Sequence, residues 1–388
     1  MHHFSLILVF LGLSCSNAIE DPEFFEIVVD RDHPEKVYEA FEQFKIRYQR
    51  KYKDAEENQK RMQNFIKSYN TVGRLNLKSN ESGYTSTFGI NKFSDLSSKE
   101  FQQRLSNIAP SQKFRSAMKK ASPFLKRHKR QVDELPDSVD LRYEKVNGRY
   151  IVGSIVKDQG SCACCWGFAV TAVAEAVYAA NIGPFTYLSE QELCDCATPG
   201  SLGCTGGDLV WGTEYIMGRG LAASSTYKWD EHRANKSGMC ISEENKRVLK
   251  EDKFDYYFAD RYNAEEEIMA MLVQWKSPVA ASFQSFTKVS KFPAFAVGNP
   301  FRSYSDGVLV QEDCDLKGPS FHAGAIVGYG SERDYFGRIQ KYWIVRNSWG
   351  PYDWGNEDGY FKVIRGRDWC GIETIAAVGG RIADHTHA

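Results

Sequence analysis

Residues 159–180 read QGSCACCWGFAVTAVAEAVYAA, a polar turn that opens directly into an apolar run. Residues 165–180 are rich in Ala and almost wholly apolar, which predicts a helix buried on most sides. A thiol at the start of such a helix faces unpaired N–H groups and the positive end of the helix dipole, and both favour the thiolate. The stretch therefore predicts a reactive cysteine at the head of a buried helix.

Length and composition are those of an ordinary folded protein. The chain has 388 residues, 42% hydrophobic and 26% charged, so two or three domains are expected, and disorder or a multi-span membrane architecture is excluded for the chain as a whole. A net charge of −1 argues against a nucleic-acid binder. The charge is uneven, because residues 1–130 carry 23 Lys and Arg against 15 Asp and Glu, and residues 131–388 carry 26 against 35. A basic front segment of +8 therefore precedes an acidic main segment of −9.

The first residues, MHHFSLILVFLGLSCSNA, contain one apolar run, from Phe4 to Leu13. This run is too short to cross ~30 Å of hydrocarbon, and small residues follow it at Ser16 and Ala18. We predict that residues 1–18 are a secretory signal, with a buried strand or helix of the mature fold as the alternative. No later segment reaches 18 unbroken apolar residues, so the sequence predicts entry into the secretory pathway without a membrane span.

The chain has ten cysteines, of which Cys15 lies in the predicted signal. The other nine lie beyond residue 160: Cys162, Cys164, Cys165, Cys194, Cys196, Cys204, Cys240, Cys314 and Cys370. In an oxidising compartment this odd number indicates four disulfides and one thiol kept for chemistry. Zinc binding is the competing interpretation, but CxC and CC spacings without a matching Cys/His second half fit a tetrahedral site poorly. We therefore expect no metal and no cofactor.

Hydrophobic spacing divides the chain into helical and β-rich parts. Residues 34–78 are rich in Glu, Lys, Gln and Arg with apolar positions at helical spacing, which predicts two amphipathic helices. Residues 122–133, SPFLKRHKRQVD, are typical of a basic, cleavable linker. From about Ala280 onward the pattern predicts strands, notably at 323–329 and 341–346. A helical half followed by a β half predicts an α+β fold with a cleft between the halves.

Two residues in the β-rich part complete a candidate nucleophilic site. His322 begins a predicted strand in FHAG, and Asn347 follows another strand in RNSWG. A cysteine with a histidine base, and an amide that holds the imidazole in the right tautomer, can carry out acyl transfer. Each signal is weak alone, since a lone histidine on a strand is more often structural. Their joint occurrence indicates catalysis.

The blocks QGSCACCW, FHAGAIVGYG and RNSWG resemble the three signature blocks of the papain-like cysteine peptidases. The resemblance spans nearly all of residues 135–388 and implies a two-lobed fold, with a helical lobe around a central catalytic helix, a β-barrel-like lobe and a cleft between them. By position it implies that Cys165 is the nucleophile, His322 the general base and acid, and Asn347 the imidazole orienter. It also implies that the Gln159 side chain stabilises the oxyanion together with the Cys165 backbone N–H.

The upstream segment resembles the propeptides of cathepsin L-like members. Five residues fall on the spacing of the family's ERFNIN helix, namely Glu57, Arg61, Phe65, Val72 and Asn76. At the remaining position of the motif Ser68 stands where Asn is usual. Residues 89–95, GINKFSD, fit the GxNxFxD block of the same family. The resemblance implies a small helical inhibitory propeptide, residues 19–130, that crosses the cleft in the non-productive direction ahead of the mature peptidase domain, residues 131–388. A stand-alone helical domain is the alternative, and it does not explain both motifs.

Family correspondence also implies contacts with substrate. Gly206 and Gly207 resemble the backbone edge that pairs with extended substrate, and Asp208 and Leu209 follow at the main specificity pocket. Trp349 resembles the indole that shields the hydrogen bond between the catalytic histidine and asparagine.

The same correspondence implies the disulfides Cys162–Cys204, Cys196–Cys240 and Cys314–Cys370. Cys164 and Cys194 are left over, and the family pattern expects neither. We predict that they pair with each other, because Cys162 and Cys196 lie two residues from each and bring the two segments together.

Four positions of the predicted peptidase domain depart from the family pattern. Ala163 and Cys164 stand where Gly and then Ser or Ala are usual, and Gly167 stands where Ala or Ser is common. Asp208 stands where an apolar or aromatic residue often lines the specificity pocket, so it bears directly on substrate preference.

The sequence thus supports a secreted or lysosomal proenzyme of a cysteine endopeptidase that acts on polypeptide substrates. The alternatives are a catalytically silent homologue that acts as a binding protein, and an exopeptidase of the same fold. By resemblance the expected partners are the enzyme's own propeptide and protein inhibitors of the cystatin type, and the enzyme is expected to be a monomer. Sequons at Asn80 and Asn235 permit glycosylation. Maturation is expected to begin at residues 127–130, RHKR, which resemble a furin-type site.

Overall fold

The computed structural model describes residues 34–108, 135–197, 203–230, 240–241, 246–285, 300–310 and 320–383. Its α-helices are α1 (Pro34–Arg47), α2 (Ala55–Ser82), α3 (Ser98–Gln102), α4 (Cys165–Asn181), α5 (Glu190–Cys196), α6 (Leu209–Arg219) and α7 (Ala264–Gln274). Its strands are β1 (Thr87–Phe88), β2 (Val139–Asp140), β3 (Lys145–Val146), β4 (Arg149–Tyr150), β5 (Leu221–Ala222), β6 (Arg247–Leu249), β7 (Phe254–Phe258), β8 (Val279–Gln284), β9 (Tyr304–Asp306), β10 (Val308–Leu309), β11 (Phe321–Arg333), β12 (Ile339–Arg346), β13 (Tyr360–Ile364) and β14 (Ala376–Ile382). The α+β prediction is confirmed, and no helix within the described ranges is long and apolar enough to cross a membrane.

The two helices expected within residues 34–78 are present as α1 and α2, and α2 continues to Ser82. The Asp54 carboxylate caps α2 by accepting a hydrogen bond from Glu57 N at 2.8 Å. Both helices bury aromatic side chains against each other, namely Phe41, Phe44 and Phe65. The upstream segment therefore has a small apolar core of its own.

One face of α2 holds the segment that follows it. Ser68 Oγ donates to Ser94 O at 2.8 Å, and the Asn76 side chain bonds both the N–H and the carbonyl of Phe88, each at 2.8 Å. The short helix α3 follows Asp95, with Ser97 as its N-cap. The ERFNIN spacing thus places polar side chains where they anchor residues 88–95 to the helix.

The helix predicted at 165–180 is confirmed as α4, with Cys165 as its first residue. Most of its side chains are buried, because it packs on one side against β8, β11 and β14 and on the other against α5 and α6. Its small Ala side chains allow this close approach from several directions. The head of the helix therefore lies where the helical lobe meets the sheet.

The β lobe is built on an eight-stranded sheet in the order β10-β13-β12-β11-β8-β14-β7, with β2 added to β11. Among the described strands this path does not close into a barrel. The strands predicted at 323–329 and 341–346 are confirmed as β11 and β12, which pair antiparallel with Ala325 opposite Arg346. His322 at the start of β11 and Asn347 just after β12 therefore lie at the same end of the sheet.

Three disulfides lie in the helical lobe, and they are Cys162–Cys204, Cys164–Cys194 and Cys196–Cys240. Cys370 is also disulfide-bonded, and its expected partner Cys314 lies outside the described residues. Of the cysteines that the structure describes, Cys165 alone is a free thiol. The leftover pair thus lies adjacent to the candidate nucleophile.

Candidate active site

The Cys165 thiol is fully buried at the start of α4. Burial raises its pKa to about 11, although backbone hydrogen bonds from Ala323, Trp166 and Ser106 act in the opposite direction. The thiol is therefore protonated at neutral pH in this form of the protein. Ser106 belongs to the predicted propeptide, so part of this environment comes from residues upstream of the protease domain.

His322 and Asn347 form one hydrogen-bonded pair. His322 Nε2 donates to Asn347 Oδ1 at 2.8 Å, and the same oxygen accepts from the Ser348 N–H at 2.8 Å, which fixes the orientation of the amide. The proton of the neutral imidazole is thereby held on Nε2. Nδ1, which has no hydrogen-bond partner among the described residues, keeps its lone pair. Burial lowers the pKa of His322 to about 4, so the imidazole is neutral at pH 7.

Gln159 lies in the turn that precedes the catalytic helix and is fully buried. The Ser348 hydroxyl donates to Gln159 Oε1, which turns the amide nitrogen toward the cleft. Gln159 Nε2 donates to Cys162 O at 2.6 Å and to Arg104 O at 2.9 Å. The family resemblance implies that this Gln159 N–H stabilises the oxyanion of the reaction. Here it is bound instead to a carbonyl oxygen of the propeptide.

Residues 104–108 of the upstream segment lie across the cleft. Ser106 makes two backbone hydrogen bonds with Phe321, at 2.7 and 2.8 Å, immediately before His322. On the other wall Ser106 Oγ lies 3.3 Å from Gly207 N. A small cavity at this point is lined by Ile108, Asp208, His322 and Cys165, among others. The segment thus covers the thiol and contacts both lobes.

Trp349 covers the histidine. Its ring centroid lies 4.7 Å from that of His322, and it is completely buried. Phe93 and Phe101 of the upstream segment pack edge-on against it, at 5.1 and 5.6 Å between ring centroids. The indole therefore shields the His322–Asn347 pair from water and is itself covered by propeptide side chains.

Trp349 is one of the five residues predicted to contact substrate, and the other four are consecutive, at 206–209. Gly206 and Gly207 line the cleft at positions where a side chain has no room, because a Cβ at 206 would lie 2.5 Å from Ser106 Oγ and one at 207 would lie 2.2 Å from the Trp166 ring. Asp208 also lines the cleft, and its carboxylate caps α6 by accepting from Val210 N at 3.1 Å. Leu209 is completely buried in the core of the helical lobe.

Sequence reasoning missed three contributors to this site, namely Ser348, Arg104 and Ser106. Ser348 is next to Asn347 in the RNSWG block, so the motif itself contained its signal. Arg104 and Ser106 act through backbone atoms or a short hydroxyl, and no local sequence pattern distinguishes them.

The remaining predictions concern metal binding, the two sequons, the signal and the basic processing site. Within the described ranges no group of three His, Cys, Asp or Glu residues is arranged to hold a metal ion. Asn80 lies near the end of α2 and is partly exposed. The signal at 1–18, the sequon at Asn235 and the basic site at 127–130 lie outside the described residues.

Comparison with known proteins gives the same division of the chain. Residues 135–379 match the profile described as papain family cysteine protease, and residues 41–101 match that of the cathepsin propeptide inhibitor domain (I29). A cathepsin L-like proteinase of Phaedon cochleariae is 30% identical over 342 residues, which cover 87% of this chain and 92% of that protein. The oryzain gamma chain of Oryza sativa subsp. japonica is 33% identical, again over 342 residues, covering 87% of this chain and 82% of that protein.

Solved structures agree with these sequence matches. The procathepsin L2 proteinase of the Tenebrio molitor larval midgut is 30% identical with a TM-score of 0.69, covering 89% of this chain and 99% of that one. The upstream helices and the two-lobed domain thus correspond together to a procathepsin. The chain belongs to the papain family of cysteine proteases and carries a cathepsin propeptide inhibitor domain ahead of its protease domain.

Proposed function

We propose that this chain is the latent precursor of a secreted or lysosomal cysteine endopeptidase in which Cys165, His322, Asn347 and Gln159 carry out peptide hydrolysis. The observation that supports it most directly is the hydrogen bond from Gln159 Nε2 to the Arg104 carbonyl. A backbone carbonyl of the protein's own propeptide here takes the donor that a substrate carbonyl would need. Latency follows, because substrate cannot enter while residues 104–108 remain.

Once the propeptide is removed, the Cys165 thiol transfers its proton to His322 Nδ1, and the thiolate attacks the substrate carbonyl carbon. The charge that develops on the carbonyl oxygen is stabilised by Gln159 Nε2–H and by the Cys165 N–H. The imidazolium then gives its proton to the amine nitrogen as the C–N bond breaks, which leaves an acyl-enzyme. Water, deprotonated by His322, releases the acid and restores the thiol.

Asn347 contributes to these reaction steps by holding the His322 ring in place. Its Oδ1 accepts from Nε2–H in both the neutral and the cationic imidazole, so the ring keeps one orientation throughout the cycle. Trp349, packed at a tilt against the same ring, keeps water from competing for that hydrogen bond.

The wider biology of the enzyme is part of the proposal. An N-terminal signal at 1–18 would direct the chain to the secretory pathway, and the three disulfides are those of an oxidising compartment. The mature enzyme would act as a monomer on polypeptide substrates, and protein inhibitors of the cystatin type would bind its open cleft. Use of the sequons at Asn80 and Asn235 belongs to the same expectation.

The decisive experiment treats the processed protein with a thiol-directed peptide epoxide and measures both covalent labelling and hydrolysis of internally quenched peptides. We expect labelling at Cys165, and we expect Cys165→Ala to lose both signals while it keeps the fold. The matched control is the Cys164→Ala/Cys194→Ala double variant, which removes the neighbouring disulfide and leaves Cys165 in place. Failure of the processed protein to react would favour the silent binding homologue.

The exopeptidase alternative is tested on the same samples. An endopeptidase cleaves peptides whose two ends are blocked at a rate similar to that of unblocked peptides. Loss of cleavage on blocking either end would replace the endopeptidase proposal by the exopeptidase one.

A further inference from the structure

Arg302 lies beside the catalytic centre on the β lobe. It follows Phe301, whose ring lies 5.6 Å from the His322 ring and 5.0 Å from the Trp349 ring, between centroids. The Arg302 guanidinium itself lies over the Phe101 ring, and that ring packs against Trp349, which covers His322.

The Arg302 side chain is held by the propeptide. Its Nη2 donates to the carbonyl oxygens of Phe93 and of Leu96, the latter at 2.8 Å, and its guanidinium lies over the Phe101 ring at 5.3 Å. The Arg302 backbone oxygen accepts from Asn91 Nδ2 at 2.7 Å. These four partners all lie within residues 91–101, so all four leave when the propeptide is removed.

The path of the propeptide indicates which part of a substrate would pass Arg302. Ser106 lies against Gly207, the edge that family resemblance gives to the acyl part of a substrate. Phe101, which precedes Ser106 in the propeptide, lies against Trp349. Since Trp349 covers the imidazole that protonates the leaving amine, the leaving part of a substrate passes over Trp349 toward Arg302.

The charges around Arg302 are supplied in part by the propeptide as well. Burial lowers the pKa of Arg302 to about 10, while Asp95 and Glu100 raise it and Arg104 lowers it further. All three of these charged groups precede residue 130. Asp158, which pairs with Trp349 in an isolated β-bridge, binds Lys92 Nζ of the propeptide at 2.7 Å.

We propose that Arg302 is a specificity-determining residue that binds a carboxylate in the leaving-group part of the substrate. The inference rests on the proposed peptidase function. A planar guanidinium that now donates to two carbonyl oxygens suits the two oxygens of a carboxylate, and a charged acceptor makes the stronger hydrogen bond. The carboxylate can be an Asp or Glu side chain or the free end of the peptide, and both present the same chemistry.

The test uses the enzyme matured from the full-length chain and a set of internally quenched peptides of one sequence. Each of the three positions after the scissile bond is occupied in turn by Glu or by Gln, and each peptide ends in an amide or in a free acid. We expect a kcat/KM for Glu peptides on the order of fivefold above that of the matched Gln peptides at one of these positions, as for a partly exposed ion pair. The advantage should shrink as salt is added, because exposed charges are screened. A preference for the free acid over the amide would identify the chain end as the source.

Arg302→Gln should bring the Glu-to-Gln ratio close to one, and Arg302→Lys should keep part of it. The ratio is taken on one preparation, so differences in folding yield or active fraction cancel. Asp158→Asn is the matched control, because it also removes a charge that contacts the propeptide, and it should leave the acidic preference in place. Equal rates for Glu and Gln and for acid and amide peptides, or a preference that survives in Arg302→Gln, would overturn the assignment. Cleavage of none of the peptides would instead overturn the proposed function, and this inference with it.

Discussion

A Cβ on Gly167 would lie 2.9 Å from Cys164 Sγ, inside the first turn of the catalytic helix. Cys194 Sγ would lie 3.7 Å from the same Cβ. Because Cys164 is held in a disulfide with Cys194, its sulfur cannot swing away. Two departures from the family pattern, a cysteine at 164 and a glycine at 167, are therefore one structural feature: the added disulfide occupies the space that a side chain at 167 would need.

The first prediction is that these positions are energetically coupled. Gly167→Ala alone should destabilise the protein by about 1–3 kcal/mol, because the methyl group overpacks the disulfide. In the Cys164→Ala/Cys194→Ala background the same change should be neutral or stabilising by up to about 1 kcal/mol, since Ala is the better helix former. Urea denaturation of the wild type, Gly167→Ala, Cys164→Ala/Cys194→Ala and the triple variant gives the coupling energy. Equal costs of Gly167→Ala in both backgrounds would show that the two departures are independent.

The second prediction concerns the reactivity of the nucleophile. Burial raises the pKa of Cys165 to about 11 and lowers that of His322 to about 4, so the uncleaved protein holds a neutral thiol and a neutral imidazole at pH 7. Alkylation of Cys165 by iodoacetamide should therefore be slow at neutral pH and should rise toward pH 11. After maturation, exposure to water should lower the first pKa and raise the second, and the rate at pH 6–7 should increase by at least about tenfold. Identical pH profiles before and after maturation would contradict this account of latency.

The third prediction concerns acid release of the propeptide through His322. Its pKa is depressed in the closed form, from 6.5 to about 4. Between these values a freed imidazole takes up a proton that the closed form excludes, so falling pH favours release over this window. Propeptide affinity measured on the Cys165→Ala mature domain should weaken from about pH 6.5 to pH 4. In a Cys165→Ala/His322→Gln domain that part of the pH dependence should be lost.

The fourth prediction concerns the electrostatic attraction between the propeptide and the protease domain, as distinct from the protonation of His322. The front segment carries +8 and the main segment −9, and Lys92 Nζ bonds both Asp158 and the Trp349 carbonyl across the interface. Inhibition by an isolated 19–130 segment should weaken with added salt at neutral pH, and again below about pH 5 as surface carboxylates of reference pKa ~4 are protonated. Lys92→Ala should weaken it by about fivefold. Inhibition constants that ignore both salt and pH would assign the affinity to apolar packing alone.

The fifth prediction concerns an anchor far from the cleft. The tip between β11 and β12 caps the end of α2, because the Tyr335 N–H donates to Gly83 O at 2.9 Å and Arg338 donates to Ser82 O at 2.6 Å. The Phe336 ring lies directly over Gly83, where a Cβ would be 2.5 Å from it. Phe336→Ala should weaken inhibition by the propeptide about three- to tenfold without changing peptide hydrolysis by the mature enzyme. Tyr262→Ala, an exposed aromatic before α7, is the control and should have no effect on either measurement.

The site of maturation stays a sequence prediction. Cleavage after residues 127–130, RHKR, should give a mature chain that begins at Gln131. N-terminal sequencing of the secreted enzyme checks it. A start between Asp133 and Leu135 would indicate that the enzyme processes itself instead.

The sequence was most informative where chemistry is local. The helix at 165–180 and the strands around His322 and Asn347 could be predicted because apolar runs of those lengths leave few alternatives. Asp208 was interpreted as part of a pocket, yet its position just before an apolar run is also the signal of an N-cap, and the structure has it cap α6 while it lines the cleft.

Contacts between distant segments could not be predicted in the same way. Arg302 and Phe93 are separated by 209 residues, and no spacing rule connects them. The same holds for Gln159 and Arg104, which meet only because the propeptide turns back across the cleft. Family resemblance supplied the expectation that a propeptide covers the site, and only the structure identified the atoms that do so.

Because the catalytic histidine and asparagine lie on β11 and just after β12, activity depends on the correct antiparallel pairing of these two strands. Ala325 stands opposite Arg346, so His322 and Asn347 meet only in this alignment of the two strands. A slip of one residue would turn the Asn347 amide to the opposite face of the sheet and leave the imidazole without its holder. A misassembled lobe could therefore keep its strands, its disulfides and the Cys165 thiol and still hydrolyse nothing. Active-site titration thus counts correctly aligned molecules, which a spectrum of secondary structure cannot do.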